Sequence, residues 1–133
     1  MNATEIEEFL AADRNAVLAT NGSDGIPQLT PVWFLYEDGL LYVSVQIDTV
    51  KIRNMRRDPS LAVCIDGGRD DARYVVLRGQ AELIEPGQSR QQEMRRRIIH
   101  KYHSSADAAD RYYDSARANP AALIVLRPEK IVS

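Results

Sequence analysis

A single cysteine, Cys64, rules out an internal disulfide. It sits in the apolar run Leu61-Ala62-Val63-Cys64-Ile65, where a small buried hydrophobe is its expected role. Histidine is almost as scarce: His100 and His103 have no third ligand near them in sequence, too little for a metal site. No run approaches the ~18 apolar residues of a membrane span, and no charged segment leading into an apolar one opens the chain. Charge of one sign is also lacking, since the net charge is -2, so no overall basic field draws the chain to nucleic acid. Arg95-Arg96-Arg97 is a local basic run, but its members point to different sides of a helix and no aromatics interleave them. Nucleophile elbows and glycine-rich phosphate loops are absent, and the Asp70-Asp71 pair lies in a polar loop where solvation explains it. These absences lead to an expected reduced, cytoplasmic protein with no metal, no membrane contact and no nucleic-acid partner. The length of 133 residues suits one domain, 1–133.

What is present reads as a mainly β chain. Thr4-Glu5-Ile6-Glu7 has capping-box spacing and precedes Ile6, Phe9 and Leu10 on one face, predicting an N-terminal helix to about Asp13. Residues 16–20 read as a strand closed by Asn21-Gly22-Ser23-Asp24-Gly25. Residues 26–36 read as one strand that Pro27 and Pro31 force to an edge, bulge or bend. The Asp38-Gly39 turn leads to a third strand over 40–47, and residues 49–57 read as a short helix stopped by Asp58-Pro59. Strands follow at 61–65 and 74–84, the latter with Gly79 marking a bulge or a close backbone approach. Met94, Ile98, Ile99 and Tyr102 form a helical stripe, a second helix covers 106–118, and a last strand runs over 121–126 before a tail at 128–133. The sum is a six-stranded barrel with an N-terminal helix and a helical insert before the last strand.

One segment concentrates charge. Lys51, Arg53, Arg56 and Arg57 fall within 49–59, directly after a strand. A helix opening at Thr49 presents unpaired backbone N–H groups, a hydroxyl and a positive dipole end to an anion, and Lys51 lies close to that end. Charge-assisted contacts of this kind suit a phosphate. The same composition also describes a solvated basic face on a connecting helix.

The order Ala-Val-Leu-Ala-Thr (16–20), Asp-Gly-x-Pro (24–27), Pro-Val-Trp-Phe (31–34), Asp-Gly-Leu-Leu-Tyr-Val-Ser (38–44) and Lys-x-Arg-Asn-x-Arg-Arg-Asp-Pro (51–59) resembles a known superfamily. It is similar to the pyridoxamine 5'-phosphate oxidase-like split β-barrels, in their flavin/deazaflavin oxidoreductase B branch. Tyr74 and Arg78-Gly79-Gln80-Ala81 resemble that family's later Gly-x-Ala strand. The resemblance implies an FMN-binding split-barrel fold, a phosphorylated flavin-type cofactor and a homodimer with that cofactor in a groove between protomers. FMN-dependent relatives carry an Arg-x-Val-Leu-Leu-Lys type strand, whereas residues 31–36 here have no cation, so coenzyme F420 is favoured and FMN is the alternative. Thr49 departs from relatives that have a basic residue there.

By that resemblance Lys51 holds the cofactor phosphate, with Thr49 and Asn54 as hydrogen-bonding neighbours and Arg57 as a further cation or a contact for the acidic tail. Ser44 lies where the third strand approaches the cofactor, and Thr30, Pro31, Val32 and Trp33 lie beside its ring. The implied reaction is hydride transfer to an electron-poor double bond of a small-molecule substrate, its proton coming from solvent or from Tyr74 or Arg78. Two alternatives stay open: an FMN oxidase or reductase of the same fold, and a non-catalytic module for F420 or a haem-type ligand.

Overall fold

The computed structural model describes residues 1–133. Helix α1 spans Ala3–Ala11 and buries Phe9 and Leu10. Its cap is Asn2 rather than Thr4: the Asn2 side chain accepts from Glu5 N–H at 2.8 Å, and the Glu5 carboxylate accepts from Asn2 N–H at 3.0 Å. The capping-box spacing is the expected one, shifted two residues earlier, because asparagine caps as well as threonine does.

Seven strands follow: β1 (Ala16–Asn21), β2 (Pro27–Val32), β3 (Phe34–Glu37), β4 (Leu40–Gln46), β5 (Ser60–Asp66), β6 (Tyr74–Ile84) and β7 (Ala121–Val132). Helix α2 (Val50–Arg57) joins β4 to β5, and α3 (Ser89–Lys101) and α4 (Ala106–Ala116) form the insert before β7. The strands make one antiparallel sheet in the order β2-β1-β5-β6-β7-β4-β3.

That order explains the barrel. Strands β2 and β3 stand at opposite edges of the sheet, yet only Trp33 separates them in sequence. One residue spans only about 3.8 Å between neighbouring Cα atoms, so the sheet must curl until its edges nearly meet. The edges are joined by chain rather than by ladder bonds, which leaves the barrel split beside Trp33. The single strand expected over 26–36 is therefore two strands, and the count is seven instead of six. Pro27 and Pro31 lie on β2, an edge strand whose only neighbour is β1, where a missing N–H costs no ladder bond on the open side.

The barrel interior is filled by alternate residues of each strand, with Phe34, Leu41, Val43, Ile65, Val75 and Leu77 all at 0% exposure. Strand β7 is buried on both faces from Ala121 to Leu126. Ile124 and Leu126 face the interior, while Leu123 and Val125 meet Met94 and Ile98 of α3. Helix α2 contributes Ile52 and Met55 to the interior. The same alternation corrects the expectation for Cys64: Val63 and Ile65 point inward, so Cys64 points outward and is exposed.

The expected tail is also strand. Val132, Ile131 and Lys130 pair with Val76, Leu77 and Arg78, and Pro128 faces Gly79, where the register shifts. Proline is tolerated there because the bulge already breaks the ladder. A Cβ on Gly79 would lie 2.8 Å from the Arg127 carbonyl oxygen and 3.0 Å from Glu129 N. Both readings of Gly79, bulge and close approach, therefore hold.

Candidate functional site

A cleft of about 730 Å³ opens at the split of the barrel. One end is built from the close of β4 and the start of α2. Ser44 and Gln46 project from β4, and Thr49 and Lys51 stand at the first turn of α2. The Thr49 hydroxyl donates backwards to the Gln46 carbonyl at 2.9 Å and caps nothing in α2. The first helical bond runs from Arg53 N–H to the Thr49 carbonyl, so the N–H groups of Val50, Lys51 and Ile52 have no acceptor within the helix. Burial at this end holds the Lys51 ammonium below the usual lysine range.

The aromatic part of the lining belongs to Trp33 and the helical insert. Trp33 stacks on Tyr102 with centroids 5.0 Å apart and planes within 8°. His103 meets the Trp33 edge at 5.7 Å, and Tyr112 of α4 leans toward it at 5.3 Å. Ile98, Ile99 and Arg95 of α3 also line the cleft. Arg95 is buried and donates to the carbonyls of Ala116 at 2.8 Å and Asn119 at 3.1 Å, which ties the end of α4 to α3. Burial lowers its pKa, against the pull of Tyr113 and Tyr112. No aspartate or glutamate lines the cleft, so its two cations face it without a carboxylate.

Of the residues singled out from sequence, Pro31, Val32, Trp33, Ser44, Thr49 and Lys51 line this one cleft. Thr30 does not; it faces Leu18 across the β1–β2 ladder, and its hydroxyl is buried without a hydrogen-bond partner. Asn54 is buried beneath α2, where its amide donates to the Thr20 hydroxyl at 3.1 Å. Arg57 donates to the Asn21 carbonyl and reaches Asn54 Oδ1, so both side chains fasten the end of α2 to β1. Tyr74 and Arg78, the side chains considered as proton sources, do not line the cleft.

Arg95 and Tyr112 were missed from sequence. Arg95 stands three and four positions before Ile98 and Ile99, so it shares their face, a signal that the Arg95-Arg96-Arg97 run obscures. The three arginines do diverge: Arg96 lies 4.4 Å above the Tyr113 ring, and Arg97 pairs with Glu37 at 2.8 Å. Nothing in the sequence separates Tyr112 from its neighbour Tyr113. Both histidines have protein partners, His100 with Asp110 at 3.0 Å and His103 with the Ile99 carbonyl at 2.7 Å.

The family model described as pyridoxamine 5'-phosphate oxidase matches residues 3–133. The chain belongs to this family. A solved structure described as an F420 reductase is 25% identical, with 95% of this chain and 94% of that one covered at a TM-score of 0.72. A conserved hypothetical protein of Mycobacterium tuberculosis is 25% identical, covers 98% of this chain and 82% of its own, and has a TM-score of 0.82. The haem storage protein of Vibrio cholerae, at 16% identity, 98% and 92% coverage and a TM-score of 0.77, shares the fold. The fold is thus a split barrel of the pyridoxamine 5'-phosphate oxidase type, and the family is a flavin-related, oxidoreductase-type one. No helix is long and apolar enough to cross a membrane.

Proposed function

We propose that this chain is a coenzyme F420-dependent reductase that transfers a hydride to an electron-poor double bond of a small molecule. The observation that carries the reading is the cleft's charge: Lys51, at the first turn of α2, and Arg95 line it, and no carboxylate does. A phosphorylated, acidic cofactor fits such a lining, and a cationic one does not. The strand over 31–36, which has no cation, and the F420 reductase at 25% identity favour the deazaflavin over FMN.

Lys51, with the first N–H groups of α2, binds the phosphate, and Ser44 offers a hydroxyl along the path to the barrel split. Pro31, Val32 and Trp33 supply a flat, apolar flank for the ring. The bound cofactor supplies a hydride, chemistry that no side chain here provides. The acceptor gains that hydride at one carbon and a proton, taken from solvent, at the other end of its double bond. The protein orients the two reactants and excludes water, a contribution of about 7–11 kcal/mol at best.

We further propose a cytoplasmic homodimer. Val17, Leu29, Pro31 and Cys64 form an outward sheet face, with Leu29 62% exposed, and two of them, Val17 and Pro31, also line the cleft. A second copy on that face would wall the cleft. The test of the cofactor assignment is titration of deazaflavin fluorescence with wild-type protein, Lys51→Ala and Lys51→Arg. The alanine variant is expected to bind at least ten-fold more weakly, with partial recovery in the arginine variant. Equal affinities in all three would remove Lys51 from the site.

A further inference from the structure

Arg95 is a positive charge held in the cleft lining without a counter-ion. It is only 9% exposed, and no carboxylate pairs with it. Its partners are two backbone carbonyls, Ala116 at 2.8 Å from Nη2 and Asn119 at 3.1 Å from Nη1, and Nε–H is left without an acceptor. Ala116 closes α4, so the guanidinium rests against the negative end of that helix. A helix end carries about half an elementary charge, which leaves roughly half of the arginine's charge uncompensated. Ile98 and Ile99, on the same face of α3, and Ala116, which accepts from Arg95, make the lining beside it aliphatic. Helix α4 itself is held mainly by α3. Its two buried residues, Ala109 and Tyr113, cluster with Ile99, Arg96 lies 4.4 Å above the Tyr113 ring, and His100 meets Asp110 at 3.0 Å. The chain on either side of α4, Ser104-Ser105 and Arg117 to Pro120, is exposed. Among the polar side chains that attach α4 to α3, Arg95 alone lines the cleft.

We propose that Arg95 receives the carboxylate of an apolar ligand, and that filling this site clamps α4 onto α3. Burying a guanidinium against half a charge is costly, and moving α4 away would return it to water. A carboxylate can take Nε–H from the side while both carbonyl bonds stay in place, which completes the compensation of charge in the closed arrangement. A ligand that binds the closed arrangement better shifts the population toward it, so occupancy is read in how firmly α4 is held. The proposal is independent of which cofactor Lys51 holds.

The test is amide hydrogen exchange of the full chain without cofactor, in the presence of hexanoate or of its neutral counterpart, hexanamide. Hexanoate is expected to slow exchange over residues 106–119 saturably, by about five-fold or more, and hexanamide to leave it unchanged. Arg95→Gln should abolish the response, and Arg95→Lys, which keeps the charge but not the fork, should retain part of it. Lys51→Ala should respond as the wild type does. No slowing by hexanoate, equal slowing by hexanamide, or an undiminished response in Arg95→Gln would overturn the proposal. Loss of the response in Lys51→Ala would also overturn it, by placing the carboxylate at Lys51. Should Arg95→Gln fail to fold, the two probes and Lys51→Ala still decide, because each is read with Arg95 in place. The cofactor reading fails separately: a Lys51→Ala chain that binds deazaflavin normally and keeps the hexanoate response refutes Lys51 as the phosphate site and leaves Arg95 as the carboxylate site.

Discussion

Asn54 and Lys51 lie three residues apart on α2, and the structure gives them opposite work. Asn54 is 5% exposed, and its amide donates to the Thr20 hydroxyl at 3.1 Å while its oxygen accepts from Arg57. Replacing Asn54 by alanine deletes a buried hydrogen bond, worth about 1 kcal/mol net, and leaves the Thr20 hydroxyl with only a long contact of 3.4 Å to Gln28. The unsatisfied hydroxyl and the small void add a further 1–2 kcal/mol or so. The total, about 2–3 kcal/mol, corresponds to a fall in Tm of roughly 8–12 °C for a domain of this size. Because Asn54 does not line the cleft, deazaflavin affinity measured well below the variant's Tm should match that of the wild type. Thermal unfolding by circular dichroism, paired with the cofactor titration, reads both quantities. A variant with unchanged Tm and tenfold weaker cofactor binding would refute this placement and return Asn54 to the ligand.

Three further outcomes follow from the packing. Gly79→Ala should destabilise by about 1–3 kcal/mol, read as a lower urea midpoint, because its Cβ would meet backbone atoms of Arg127 and Glu129 at 2.8 and 3.0 Å; an unchanged midpoint would mean that β6 and β7 can separate freely. Lys101 donates to the Leu10 and Phe34 carbonyls, and burial, partly offset by Asp13 and reinforced by Arg14, lowers its pKa to about 8. An unfolded lysine titrates near 10.4, so the unfolded chain binds more protons across that interval, and this residue's contribution to stability must rise between about pH 8 and pH 10. The Tm difference between wild type and Lys101→Met should therefore grow in favour of wild type over that range; a flat difference would show that Lys101 titrates normally. Leu29→Lys, on the open face of β2, should turn a dimer into a folded monomer by sedimentation velocity; a wild type that is already monomeric would end the dimer proposal.

The strands were legible where alternation and turns agree. Residues 74–84 read directly as β6, and the prolines sent β2 to an edge. The split at Trp33 was not legible, because the apolar and β-branched pattern runs on unbroken from Leu29 to Tyr36 while the change of sheet edge is a tertiary event. Pro128 hid the second half of β7, since its tolerance depends on Gly79, which lies far away in sequence. Within the basic segment, charge and polarity alone could not tell Lys51, at the open first turn of α2, from Asn54 and Arg57, which face β1. Helical phase separates them only once the neighbour across α2 is known. The aromatic wall was out of reach for a similar reason: Trp33 lies between β2 and β3, whereas Tyr102 and Tyr112 belong to the insert, and they meet only when the insert folds over the split.

The most direct measurement is a parallel titration of the purified protein with coenzyme F420 and with FMN at moderate salt, followed by fluorescence. Saturable micromolar binding of the deazaflavin is expected, at least ten-fold tighter than FMN and weakened by added salt, as for an anion held by the proposed site at Lys51 and the first turn of α2. Preference for FMN would contradict the cofactor assignment, and binding of neither would make the basic segment an ordinary solvated helix.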